Sequence, residues 1–201
     1  MNRIQLSFLL IAVFFATIIS AQELKIGFKA GLNVTSLRNS FDEFNDNKPR
    51  TTFSLNSVIE LRLPGKIGIS IEPGYIQKGG TVRSNIQFNS PEAEVRYDYI
   101  QVPTLLNIYL IEKLFLSLGP EFAFLINAKN KLVQSEALNE FEISASIGIN
   151  FMVTDKIGIG AKYNRGFSRL YNIGFRDANG NSIGNFEEFN SYAQLAIRYN
   201  L

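Results

Sequence analysis

Nine charged residues stand in the polar phase of otherwise apolar, alternating runs: Lys25, Lys29, Glu60, Arg62, Glu72, Glu121, Glu142, Lys162 and Arg198. Five are positive and four negative, so a shared interior would nearly neutralise itself. Buried charges are costly unless paired, and pairing is the first chemistry that such a set can do. Glu72, Glu121, Arg62 and Lys162 form the expected centre of a salt-bridged plug. A narrow, gated ion path through the same groups is the alternative.

Other chemistries lack their residues. The 201-residue chain has no His and no Cys, which removes Ser-His triads, thiolates, disulfides, Cys- or His-ligated zinc and haem ligation. Glu94, Asp98 and Glu121 show no catalytic spacing. The chain reads as a non-enzyme that needs no cofactor. Asp177-Ala178-Asn179-Gly180-Asn181 with Glu188 resembles part of a calcium loop, but Ser182 occupies the position that needs Gly; an Asn-Gly turn is the simpler reading. With 20 Lys+Arg against 18 Asp+Glu, no basic stripe recommends a nucleic-acid partner.

The elements that would hold the nine charges follow from the period. From Leu24, every second residue to Val34 is apolar, and the residues between are Lys, Gly or Asn. Such a period of two makes a strand with one greasy face. It recurs over Thr52–Leu63, Ile67–Tyr75, Tyr99–Leu110, Leu114–Ile126, Phe141–Phe151, Ile157–Tyr163 and Tyr192–Leu201. Eight strands of this length exceed the globular norm of about 5–6 residues and suit a tilted membrane crossing. Pro103 and Pro120 fall inside strands, where a bulge or strand end is expected.

Joins alternate strictly. Pro64–Lys66, Ile111–Lys113 and Met152–Lys156 are short; Thr35–Thr51, Gln77–Asp98, Asn127–Glu140 and Asn164–Ser191 are long. Outer-membrane barrels have short periplasmic turns and long external loops, which would put both termini in the periplasm. A soluble lipocalin-like ligand-binding barrel would turn its grease inward. The polar face is crowded with Gly and Ser, as a narrow interior requires, so the grease is expected outside, against outer-membrane lipid. Met1–Ala21, with Arg3 before an apolar run and Ser20-Ala21 after it, reads as a cleaved signal peptide rather than a retained anchor. Residues 22–201 are then one domain. The fold class is all-β, an eight-stranded antiparallel up-and-down transmembrane β-barrel. Tyr75, Tyr97, Tyr99, Phe141, Tyr163 and Phe167 at one end, with Phe151 and Tyr199 at the other, are candidates for interfacial girdles.

Four segments resemble signatures of PorT-like outer-membrane β-barrel proteins of Gram-negative bacteria: Glu72–Gly80 (EPGYIQKGG), Tyr99–Leu106 (YIQVPTLL), Leu116–Glu121 (LSLGPE) and Ala161–Phe167 (AKYNRGF), with Lys162 where that family usually has Arg. The resemblance implies an outer-membrane barrel of structural or interaction type. Leu195, Ile197, Tyr199 and Leu201 resemble the terminal signal read by the outer-membrane assembly machinery, with Leu in place of the usual final Phe. The long loops, carrying Phe41, Phe44, Phe167, Tyr171, Phe175 and Phe186, are the expected contact surface for a protein or envelope partner.

Overall fold

The structure is a computed structural model and describes residues 23–39, 47–82, 93–129, 138–170, 172–176 and 182–201. The expected signal peptide, Phe41, Phe44, Tyr171 and the expected Asp177–Asn181 turn lie outside those residues. Ten strands form in chain order: β1 (Glu23–Asn39), β2 (Arg50–Arg62), β3 (Ile67–Ile71), β4 (Gly74–Val82), β5 (Ala93–Ile111), β6 (Leu114–Lys129), β7 (Phe141–Met152), β8 (Ile157–Gly166), β9 (Asn172–Arg176) and β10 (Ser182–Asn200).

All pairings are antiparallel, and β1 bonds to both β2 and β10, so the sheet closes on itself. β3 and β4 are two pieces of one stave. Both lie between β2 and β5 in a single register, as Leu61↔Ile69 and Leu55↔Tyr75 on one side and Ile69↔Leu106 and Tyr75↔Ile100 on the other show. The nick falls at Glu72-Pro73, where proline supplies no ladder donor. The flanking bonds survive: Ser57 N donates to the Pro73 carbonyl and Glu72 N to the Pro103 carbonyl, both at 2.9 Å. β9 pairs only with β10, as a hairpin beyond the ring. Among the described residues the wall therefore has eight staves.

The short turns behave as their residues require. Pro64 fixes its own φ, Gly65 takes a φ of +94°, and Leu63 N closes the turn on the Ile67 carbonyl at 3.0 Å. In the Val153–Lys156 turn, Thr154 Oγ1 accepts from Ile157 N at 2.9 Å. β1 begins and β10 ends at this end of the barrel, with Leu201 N bonded to the Ile26 carbonyl.

Burial decides which face is inside. Leu195 is 70% exposed, Leu32 66% and Ile147 61%, whereas Glu60 is 1% and Glu121 0% exposed. A water-soluble fold would reverse this order, because burying grease is its main driving force. The lipocalin-like alternative is overturned: Ile69 and Leu118 also point outward. The expected bulges at Pro103 and Pro120 do not form. Register is the same on both sides of them, and the shifts lie instead between Asp98 and Tyr99 and between Tyr109 and Ile111. The long joins are shorter than the sequence suggested, because β4 continues to Val82, β5 starts at Ala93 and β10 starts at Ser182.

Candidate functional site

The lumen brings together side chains from every stave. Near the short-turn end, Glu60 on β2 pairs with Arg198 on β10 at 2.7 Å and accepts from Asn107 Nδ2 at 3.1 Å and from the Tyr109 hydroxyl. Arg198 Nε donates to Asn200 Oδ1 at 2.7 Å. Arg62 is not in the plug. Its guanidinium lies 4.1 Å from the Tyr109 ring centroid, half-buried, because it is the last residue of β2 and reaches the rim. Lys25 also sits at the rim, with Glu23 at 3.5 Å.

At mid-height Lys29 on β1 forms an ion pair with Glu72. Asn56 Nδ2 donates to the Glu72 carbonyl at 2.8 Å, and Gln101 Nε2 to Asn56 Oδ1 at 3.3 Å. Beside them Gln194 Nε2 bonds Asn33 Oδ1 at 2.9 Å and Ser54 Oγ at 2.8 Å.

The densest cluster lies toward the long-loop end. Lys78 Nζ sits between Glu142 at 2.7 Å and Glu121 at 3.2 Å. Glu121 also receives Lys162 at 3.4 Å, the Tyr192 hydroxyl at 2.7 Å and Ser146 Oγ at 3.3 Å. The Tyr99 and Tyr192 rings flank Lys78, each centroid 5.3 Å from Nζ, adding cation–π attraction. Glu142 takes a further bond from Asn190. Four donors engage the Glu121 carboxylate, three of them at Oε2, so it holds the charges of this cluster in place.

Above this cluster the interior turns apolar. Leu37, Ile76, Val95, Tyr97, Tyr99 and Leu170 pack together inside the barrel. Tyr97 and Tyr99 thus leave the expected girdle: their odd positions on β5 point inward, and both are fully buried. Tyr163 and Phe167 at the long-loop end, and Phe151 and Tyr199 at the other, do face outward. Leu195, Ile197, Tyr199 and Leu201 are all exposed on the outer wall.

Lys78 is the main residue that the sequence reading missed. The outward apolar alternation ends at Tyr75, which puts Lys78 in the expected Gln77–Asp98 join. Parity could have found it, since Glu72, Gly74, Ile76 and Lys78 share one phase. Gly79 is strained for any other residue: its φ is +130°, and a Cβ there would collide with the Val95 carbonyl.

Outside the apolar band, Asp98 on the outer wall accepts from Arg96 Nε at 2.9 Å, the Tyr75 hydroxyl at 2.7 Å and Asn127 Nδ2 at 2.9 Å. Partial burial works to raise its pKa, but the Arg96 guanidinium and these hydrogen bonds outweigh it and hold the carboxyl below its ordinary value. Glu94 is exposed beside Arg50 at 3.5 Å. Among the described residues no cluster of three acidic side chains could hold a metal ion.

Comparison with known proteins agrees with this geometry. The family model described as outer membrane protein beta-barrel domain matches residues 20–172. Two solved structures share the fold. Ail, the attachment invasion locus protein of Yersinia pestis, in its complex with the heparin analogue sucrose octasulfate, has 15% identity and a TM-score of 0.53, covering 89% of this chain and 99% of its own. Neisserial surface protein A has 12% identity and a TM-score of 0.52, covering 87% of this chain and 96% of its own. No curated protein matches the sequence.

Proposed function

This chain belongs to the outer membrane protein beta-barrel domain family, and we propose on that footing that it is a closed, non-enzymatic scaffold whose long-loop end is its contact surface. It is a small outer-membrane β-barrel, and outer-membrane lipid surrounds its apolar wall. The observation that carries the closed reading is the filled lumen. The Lys29–Glu72 and Glu60–Arg198 pairs and the Lys78–Glu121–Glu142–Lys162 cluster occupy it in succession, and an apolar plug lies above them. An eight-stave barrel is only wide enough for its own side chains, and these fill it.

In this reading the short turns and both termini face the periplasm. Leu195, Ile197, Tyr199 and Leu201 engage the assembly machinery from the last strand. A protein or envelope partner binds at the long-loop end, and the four resembling segments favour the PorT-like branch of the family. Planar-bilayer recording on the full chain tests the closed lumen. The expected trace is flat; a steady, large conductance overturns the proposal in favour of the channel.

A further inference from the structure

Among the described residues, two arginines on the outer wall, Arg38 and Arg165, have no acidic partner, whereas their counterpart Arg96 has Asp98. Arg165 on β8 is exposed in the outward phase, one step above Tyr163. Among the described residues it makes no ion pair or hydrogen bond. Its ladder neighbours in that row are Ser191 on β10 and, beyond it, Ser36 on β1. Arg38 occupies the next outward row of β1, opposite Phe189. Its side chain crosses β10, and Nη2 donates to the Gly166 carbonyl at 3.3 Å, which carries the guanidinium to the residue beside Arg165. The Phe189 ring lies 5.9 Å below it, and its Nε is buried with no acceptor.

The neighbouring carboxylates among the described residues are committed elsewhere. Glu187 pairs with Arg169 at 3.0 Å, and Glu188 is buried on the inward phase. Directly beneath the arginines the apolar wall begins with the row Val34, Ala193 and Tyr163. Ala193 and Ala161 leave a depression there between Leu32, Leu195 and Tyr163.

We propose that Arg38 and Arg165 bind the phosphate of an anionic lipid whose acyl chain lies in the Ala161–Ala193 depression. Three features of one place select this occupant. Two cations with no protein anion among the described residues need a counter-charge, guanidinium groups match phosphate oxygens, and the greasy trough starts one ladder row away. A free anion would use the first two features and leave the trough empty. The site does not depend on whether the lumen conducts.

Native mass spectrometry of the full chain in mixed micelles tests this, with phosphatidylglycerol as probe and phosphatidylcholine as control. The wild type is expected to retain phosphatidylglycerol selectively. Each arginine replaced should lower retention about fivefold, the scale of one basic residue at an anionic surface. Arg165→Gln removes an exposed, unpaired group, so it reports even if Arg38→Gln fails to fold. Arg96→Gln should leave retention unchanged. Millimolar inorganic phosphate should not displace the lipid. Undiminished retention in Arg165→Gln, an equal loss in Arg96→Gln, or displacement by inorganic phosphate would each overturn the proposal.

Discussion

The outer wall and the lumen are two faces of the same staves, and they obey opposite rules. On the wall, neighbours such as Leu32, Leu195, Ala161 and Ile149 line up along the ladder but need only to be apolar, because lipid accepts any greasy shape. In the lumen, Glu121 on β6 is satisfied by Lys78 on β4, Lys162 on β8 and Tyr192 on β10. Each of those partners must be the right length and sign. The wall should therefore tolerate apolar exchange and reject charge, while the lumen should tolerate loss of a whole network better than loss of one member.

The largest effect is expected where the two faces share one strand. Deleting Tyr199–Leu201 removes the Phe28↔Tyr199 and Gly27↔Asn200 pairs that help to close the ring, together with the end of the proposed assembly signal. No folded band should form in a heat-modifiability gel, and normal migration of the truncated chain would refute this.

Within the lumen, Lys78→Met strands Glu142 without its cation and leaves Glu121 only Lys162. Removing one partner of a buried pair costs about 3–5 kcal/mol. Urea unfolding in detergent should show a loss of that order. Adding Glu142→Gln should recover much of it, since the remaining Glu121–Lys162 pair leaves no charge uncompensated. A double variant weaker than Lys78→Met would contradict the pairing account.

On the wall, Ile147→Arg should destabilise by about 2–4 kcal/mol in lipid, the cost of a cation near the bilayer midplane, while Ile147→Leu should be nearly silent. Equal effects of the two in lipid-bilayer refolding would contradict a lipid-facing position.

The smallest effect belongs to the rim. Asp98 has its pKa depressed in the folded barrel, so its contribution is present above the ordinary carboxylate value of 3.8 and is lost as pH falls through the lower, folded value. Asp98→Asn should flatten that acid-side part of the stability profile, measured by urea midpoint against pH. A profile that retains the full acid slope would place the titration elsewhere.

How much of this was legible depends on what a period of two encodes. It assigns a residue to a face, so the staves, the alternating joins and the outward grease could be read directly. It says nothing about position around the ring. Lys29 meets Glu72 across β2, and Arg198 meets Glu60 across β1; the curl of the sheet and, for the second pair, its closure make them neighbours. Arg62 was in the correct phase but too near the strand end to reach the plug. Lys78 falls in the expected Gln77–Asp98 join because the outward apolar alternation ends at Tyr75, although the strand runs on to Val82. The apolar cap of Leu37, Ile76 and Leu170 went unread because Leu37 and Ile76 are apolar in the polar phase of their strands and Leu170 lies beyond β8.

The central claim is that Ile149 meets lipid while Ser146, three residues away, is sealed inside. Because the chain has no native Cys, a single cysteine at either position reports without interference. In proteoliposomes, Ile149→Cys should react with a maleimide dissolved in the bilayer and not with a water-soluble one, and Ser146→Cys should react with neither. Rapid labelling of Ile149→Cys from the aqueous side would contradict the account.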